Sequence, residues 1–243
     1  RRGGGHARLR SVRQHVADLT QRVAEQDDVI QRLRGVIQVM EREVYHLRNS
    51  SLRARLQPRL GVLRQYPPRE WSAPARYGEI APPDDPPSIS IVTPVLNQGR
   101  WIGPAIDSVV SQAYPRLEYV VRDGGSTDGT AEIIAERAPR LTGWTSERDR
   151  GQADAINRGF AGEIMGWLNG DDALMPGSLA YVARYFRDNP AVDLVYGHRI
   201  VVDEDGRQVG HWVLPPHDRV TLRWADFVPQ ETMFWRRRVW DKV

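Results

Sequence analysis

From Val12 to Leu47 the apolar positions step alternately by four and three residues: Val12, Val16, Leu19, Val23, Ile30, Leu33, Ile37, Met40, Val44 and Leu47, with Gln26 the polar member of the series. A seam repeating every 3.5 residues is the pattern of a coiled coil. The β-branched residues Val16, Val23, Ile30, Ile37 and Val44 fill one core position. Leu19, Leu33, Met40 and Leu47 fill most of the other, a distribution that favours a parallel dimer. Arg22 and Asp27, and Glu43 and Arg48, are spaced to pair between two chains. Val29 and Val36 widen the stripe, so a trimer, or a single amphipathic helix lying on its own domain or on anionic lipid, stays open. The expectation is a helical arm over residues 1–57 that forms a homodimer through residues 12–47. Residues 58–87 hold Pro67, Pro68, Pro74, Pro82, Pro83, Pro86 and Pro87, a density that excludes a continuous helix and predicts an extended, semi-rigid linker. Tyr66, Trp71 and Tyr77 within it are expected to pack on the domain that follows.

From residue 88 onward the period changes. Ser88–Val95 is a β-branched run, and Trp101–Gln112 places Ile102, Ile106, Val109 and Val110 at helical spacing. Leu117–Val121 is a second strand, with a helix over Ala131–Ala138. A short helix over Gly151–Phe160 and a strand over Glu163–Leu168 make a third unit. Strands alternating with helices predict an α/β domain, 88–243, with parallel strands. Beyond Asp193 the runs shorten to Asp193–Tyr196, Ile200–Val202 and Val209–Val213, and Asp203–Gly206 reads as the turn of a hairpin with solvated carboxylates.

Composition narrows the classes. The chain has 243 residues and 8 Trp, enough for a sizeable core, and no Cys, which excludes disulfides, thiol nucleophiles and Cys-based zinc sites. No apolar run reaches the 18 or so residues of a membrane span, and no signal peptide is expected. The net charge of +3 conceals an asymmetry: residues 1–65 carry 14 Arg against 6 acids, while residues 66–243 are net acidic. The basic arm is suited to peripheral contact with anionic lipid. It lacks the interleaved aromatics of a nucleic-acid platform, and no nucleic-acid partner is expected. A start at Arg1 and a stop in mid-pattern at Val243 suggest a domain truncated at its C-terminus.

Candidate chemistry clusters where strands end. Ligands of parallel α/β sheets bind beyond the carboxyl ends of the strands, where Thr93, Asp123, Gly124, Gly125 and Ser126 fall. Glycines there permit close backbone approach, and the Thr130 hydroxyl is placed to cap the next helix. Asp171 and Asp172 end the third strand. Adjacent carboxylates repel, and a divalent cation shared with a diphosphate would relieve them; hard oxygen donors suit Mg²⁺ or Mn²⁺. His198, His211 and His217 lack metal-ligand spacing and read as hydrogen-bonding residues.

The segments Ile91-Val-Thr-Pro-Val-Leu-Asn97, Ser108–Gln112, Asp123-Gly-Gly-Ser-Thr-Asp-Gly-Thr130, Asp154-Ala-Ile-Asn157, Trp167-Leu-Asn-Gly-Asp-Asp172 and Pro176–Leu179 together resemble the family 2 glycosyltransferases of the GT-A fold. The resemblance spans roughly 90 to 180. It implies a Rossmann-like sheet with flanking helices and a UDP- or GDP-linked sugar donor, with Mn²⁺ or Mg²⁺ as cofactor. It also implies a glycan or lipid-linked acceptor, in cell-surface polysaccharide synthesis at the cytoplasmic face of a bacterial membrane. Carried over by position, Thr93, Pro94, Asn97, Asp123, Gly125, Ser126, Asp154, Asn157 and Asp171 are expected at the donor, Thr93 and Asp123 at base and ribose. Asp171 and Asp172 are expected at the metal. The family's metal motif reads Asp-x-Asp, whereas its first position here is Asn169. Val228–Trp235 resembles the acceptor-side segment. An inverting transfer needs a carboxylate to take the acceptor proton, and Glu231 is the candidate; a structural Glu held by the Arg236–Arg238 run is the competing reading. Two other classes remain: a nucleotidyltransferase, for which Gly99-Arg100 is a poor phosphate loop, and a non-catalytic nucleotide-binding scaffold working through its coiled coil.

Overall fold

The computed structural model describes residues 60–242 and nine residues of the arm: Leu19, Gln21, Arg22, Gln26, Val29, Ile30, Leu33, Ile37 and Met40. These nine are helical, and their six apolar side chains are exposed. The rest of the seam expected over 12–47 lies outside the described residues. The chain divides into two units, Arg1–Pro58 and Arg59–Val243, and every described strand belongs to the second.

In chain order the second unit contains β1 (Val62–Arg69), α1 (Ala75–Gly78), β2 (Ile89–Val95), α2 (Gly99–Val110), β3 (Leu117–Asp123), α3 (Thr130–Arg137), β4 (Gly143–Ser146), α4 (Gln152–Asn157) and β5 (Ile164–Trp167). These are followed by α5 (Ser178–Asp188), β6 (Leu194–Val195), β7 (Arg199–Val202), β8 (Gln208–Val213), β9 (Phe234–Arg236) and α6 (Arg237–Trp240). The larger sheet runs β4-β3-β2-β5-β9-β6. β2 pairs in parallel with β3 and β5, β3 pairs in parallel with β4, and β9 closes that edge antiparallel to β5 and β6.

β2 is buried at all seven positions, as a strand covered on both faces must be. Its alternation sorts the layers. Ile89, Ile91 and Val95 point to one face, where Ile102, Ile106 and Val109 of α2, Ile134 of α3 and Leu179, Val182 and Phe186 of α5 complete a single core. Full burial of each such side chain contributes about 1.5–3 kcal/mol. The opposite face is covered around Val92 by α4, where Gly159 passes so close to the Val92 side chain that a Cβ would collide with it. The chain leaves β2 to one side for β3 and β4, then returns to the other side for β5. The reversal between β2 and β5 opens a crevice at their carboxyl ends.

Within the 58–87 segment expected as a linker, residues 62–69 form a strand. β1 pairs antiparallel with β8 from Val62 opposite Val213 to Arg69 opposite Gln208, and β8 pairs with β7, making a three-stranded sheet. Pro67 and Pro68 lie where the register shifts between Gln65 and Arg69, a place where missing N–H groups cost the ladder nothing. β7 and β8 form the hairpin expected from the sequence. Its turn carboxylates are engaged: Asp203 accepts from Arg207 Nε at 3.0 Å, and Asp205 accepts from Arg207 Nη2 at 2.9 Å and pairs with Arg100 at 3.5 Å, while Arg100 also donates to the Glu204 backbone carbonyl at 2.9 Å.

Candidate active site

The β3–α3 loop is built around Asp123, which is 1% exposed. Its carboxylate accepts from the Ser126 amide at 3.2–3.3 Å, from the Ser126 hydroxyl, and from the Ser146 hydroxyl at 2.5 Å. Gly125 turns the loop at φ +85°, a conformation open to glycine. The Ser126 hydroxyl also accepts from the Asn97 amide at 2.7 Å, and the Asn97 side chain accepts from Thr127 N at 2.9 Å, so the loops after β2 and β3 are tied to each other. Asn97 itself sits at φ +52°, a strained conformation that this pairing holds in place. Asp128, rather than Thr130, satisfies the start of α3. It accepts from Thr130 N at 3.1 Å, and hydrogen bonding from Thr130 and Gly99 keeps its carboxyl below the ordinary range.

Thr93 and Pro94 are buried. The Thr93 hydroxyl points into the helix-covered core and bonds Tyr119 Oη at 2.9 Å, and burial drives the Tyr119 phenol far upward. Asp154 is half-buried and paired with Arg158 Nη2 at 2.9 Å, while Asn157 is exposed beside it.

The loop after β5 carries the second group of carboxylates. Gly170 lies against Gln98 and Val95, too close for a Cβ, which joins this loop to the end of β2 across the crevice. Asn169 is the hub: its Oδ1 accepts from Gln152 Nε2 at 2.7 Å, and its Nδ2 donates to Gln230 Oε1 at 2.9 Å and Asp172 Oδ2 at 3.1 Å. Gln230 in turn donates to the Trp167 carbonyl at 2.6 Å. Asp171 is exposed. Asp172 is half-buried, and burial, with the charges of Glu231 and Asp171, pushes its carboxyl up to about 6. Glu231 is bound by Arg199 Nη1 at 3.3 Å. The Arg236–Arg238 run is engaged elsewhere, on the Val192 and Gly162 carbonyls and on Asp193, so the ion-pair partner of Glu231 is Arg199 and not that run.

Residues 90–242 match the model of Glycosyl transferase family 2, more than half of the chain. The chain belongs to that family. Its relatives include an uncharacterized glycosyltransferase of Nostoc, 29% identical over 64% of this chain and 52% of the relative. A PGL/p-HBAD biosynthesis glycosyltransferase of Mycobacterium tuberculosis is 32% identical over 65% and 62%. An O-antigen biosynthesis protein of Myxococcus xanthus is 33% identical over 58% of this chain and 12% of that protein. The chain thus spans between about an eighth and three-fifths of the length of these relatives. A mannosyltransferase of Pyrobaculum calidifontis, solved with GDP-Man and Mn²⁺, superposes at TM-score 0.49, with 26% identity over 69% of this chain and 51% of that one.

Within this family 2 glycosyltransferase the acidic loop fits a divalent cation by the chemistry of its donors. Asp171 and Asp172 offer hard oxygen ligands, and a cation would offset the crowding that displaces Asp172. Among the described residues no three His, Cys, Asp or Glu side chains converge as a metal-ligand group. Arg100, from the poor phosphate loop, points to the hairpin turn rather than the crevice.

The sequence reading missed Ser146, Asp149, Gln152, Gln230 and Arg199. Asp149 accepts from Gly151 N at 2.8 Å beside Gly124, a turn that the Asp-x-Gly spacing could have indicated. Arg199 is 32 residues from Glu231, and no local signal joins them.

Proposed function

We propose that this chain transfers a sugar, with inversion, from a UDP- or GDP-linked donor to a glycan or lipid-linked acceptor. The observation that carries this reading is the placement of Asp171, Asp172 and Glu231 around one end of the β2–β5 crevice, opposite the Asp123 loop. The donor's nucleotide lies along the ends of β2 and β3, against Asn97, Gly125 and Ser126. Its diphosphate faces α4 and the Asp171–Asp172 pair. Asp171 and Asp172 would hold a divalent cation, which would supply positive charge to the leaving diphosphate. The acceptor oxygen forms a bond to the anomeric carbon as the bond to the diphosphate oxygen breaks. That electron pair leaves with the diphosphate, and the acceptor proton passes to Glu231.

The roles of two relatives, in O-antigen and in PGL/p-HBAD biosynthesis, support a cell-surface glycan or glycolipid as the class of acceptor. Among the described residues no helix is long and apolar enough to cross a membrane. The exposed Leu19, Ile30, Leu33, Ile37 and Met40 support self-association of the arm. Ile30→Asp then converts a dimer to monomers in light scattering, and an unchanged mass rejects the seam.

The test is a thermal-shift panel of nucleoside diphosphates and nucleotide sugars with and without Mn²⁺, followed by assay of nucleoside diphosphate release. Ligands that bind only the folded chain raise its melting temperature. A Mn²⁺-dependent shift confined to one nucleotide, with turnover of its sugar, is expected. A folded sample that binds no nucleotide sugar and releases no diphosphate leaves the non-catalytic scaffold as the better reading.

A further inference from the structure

Arg199 is the link between the small sheet and the acidic end of the crevice. It sits at the start of β7 opposite Trp212 of β8, and Trp212 lies opposite Leu63 of β1. Partners across adjacent strands share a face, so Leu63, Trp212 and Arg199 make one row over three strands. Along this row the Arg199 guanidinium rests on the Trp212 ring, 4.8 Å from its centroid. The Trp212 indole N–H donates to the Leu60 carbonyl at 2.7 Å, which fixes the ring from the side of β1. At its other end Arg199 donates through Nη1 to Glu231 Oε1, and its Nε is buried without a partner. The ion pair is shielded unevenly: Arg199 is 38% exposed and Glu231 17%.

A flat guanidinium clamped on an indole has little freedom to swing, so it presents Nη1 in a fixed direction. The bond to Oε1 holds the Glu231 carboxylate by one oxygen, and among the described residues no hydrogen bond occupies Oε2. One oxygen anchored and the other open is the arrangement of a carboxylate positioned to receive a proton. Arg199 and Trp212 lie within the family match, whereas Leu60 and β1, which fix the Trp212 ring, precede its start at residue 90.

We propose that Arg199 is a positioning residue for Glu231 and that Trp212, held by β1 through Leu60, keeps Arg199 in place, so that residues 60–69 support the acceptor-side chemistry. The inference rests on the reading of Glu231 as the group that accepts the acceptor proton. It assigns a part in turnover to a strand that precedes the family match.

The experiment uses the full chain and the nucleotide sugar of the panel above that it turns over fastest, with water as acceptor and nucleoside diphosphate release as readout. Arg199→Met is expected to lower kcat about tenfold or more with KM for the donor within about twofold, because misplacing a catalytic group costs rate rather than donor binding. Methylguanidinium at millimolar concentration is expected to restore part of the lost rate. Trp212→Leu is expected to lower kcat several-fold in the same pattern, and Arg199→Lys, which keeps the charge but not the flat stack, to fall between Met and wild type. Melting temperatures show which variants are folded, and the Lys variant carries the test if the Met variant is not. Undiminished kcat in folded Arg199→Met and Trp212→Leu, beside an impaired Glu231→Gln, overturns the inference and leaves the reading of Glu231 standing. Undiminished kcat in Glu231→Gln overturns that reading itself, and with it the role given to Arg199.

Discussion

The two ends of the crevice treat their carboxylates in opposite ways. At the β3 end Asp123 is 1% exposed and saturated, with the Ser126 amide and the Ser126 and Ser146 hydroxyls all donating to it. Asp128 is likewise satisfied by Thr130 and Gly99, and its carboxyl is held low. At the acidic end Asp172 receives one side-chain bond, from Asn169, and is pushed up to about 6 by burial and by Glu231 and Asp171. One end is a finished scaffold, stable without a ligand. The other carries crowded charge that a proton or a bound cation would relieve, a condition common at working sites.

That contrast predicts opposite consequences for mutation. The largest effect is expected at Glu231: Glu231→Gln keeps an oxygen for Arg199 yet cannot take a proton. Turnover of the donor should fall about 10²–10⁴-fold, with nucleotide binding and melting temperature near wild type. Parallel losses of binding and rate would instead make Glu231 a donor ligand. At the other end Asp123→Ala strands the Ser146 and Ser126 donors in a buried loop and should cost about 2–3 kcal/mol of stability. Urea denaturation checks this, and a variant within about 0.5 kcal/mol of wild type would mean that the loop is not held by its carboxylate.

How much of this was legible in the sequence follows from the range of the forces involved. β2, α2, β3 and α3 were readable because hydrophobic period and glycine placement are local; Asp123 closes β3, while Asp171 and Asp172, expected at a strand end, lie in the loop four residues and more beyond β5. β1 was not: Pro67 and Pro68 dominate the local signal, whereas its strand character comes from β8, more than 140 residues away. Thr93 was placed correctly at a strand end but on the wrong side of it, since alternation along β2 sends its hydroxyl to Tyr119 beneath the helices. The role of Asn169 as a hub had no local signature either. It shows why an amide can stand where the family carries a carboxylate: a donor there binds Gln230 and Asp172 together, which a carboxylate could not do.

The smallest effect sharpens the contrast most, because its sign is unusual. The Asp172 carboxyl is raised from 3.8 to about 6 in the folded chain. Its contribution to stability is therefore fully present below pH about 4 and lost as the pH rises through about 6. At pH 7.5 the ionised group opposes folding. A displacement of that size corresponds to about 3 kcal/mol in full, and solvent reaching the partly exposed carboxylate reduces it to about 1 kcal/mol. Asp172→Asn keeps an oxygen for Asn169 Nδ2 and removes the charge. The metal-free variant should melt a few degrees above wild type at pH 7.5, and the difference should vanish near pH 4. Adding Mn²⁺ with the nucleoside diphosphate should then reverse the order, raising wild type and leaving the variant unmoved. A metal-free variant that melts below wild type at pH 7.5 would mean that Asp172 is a structural carboxylate like Asp123, and the two ends of the crevice would no longer differ in kind.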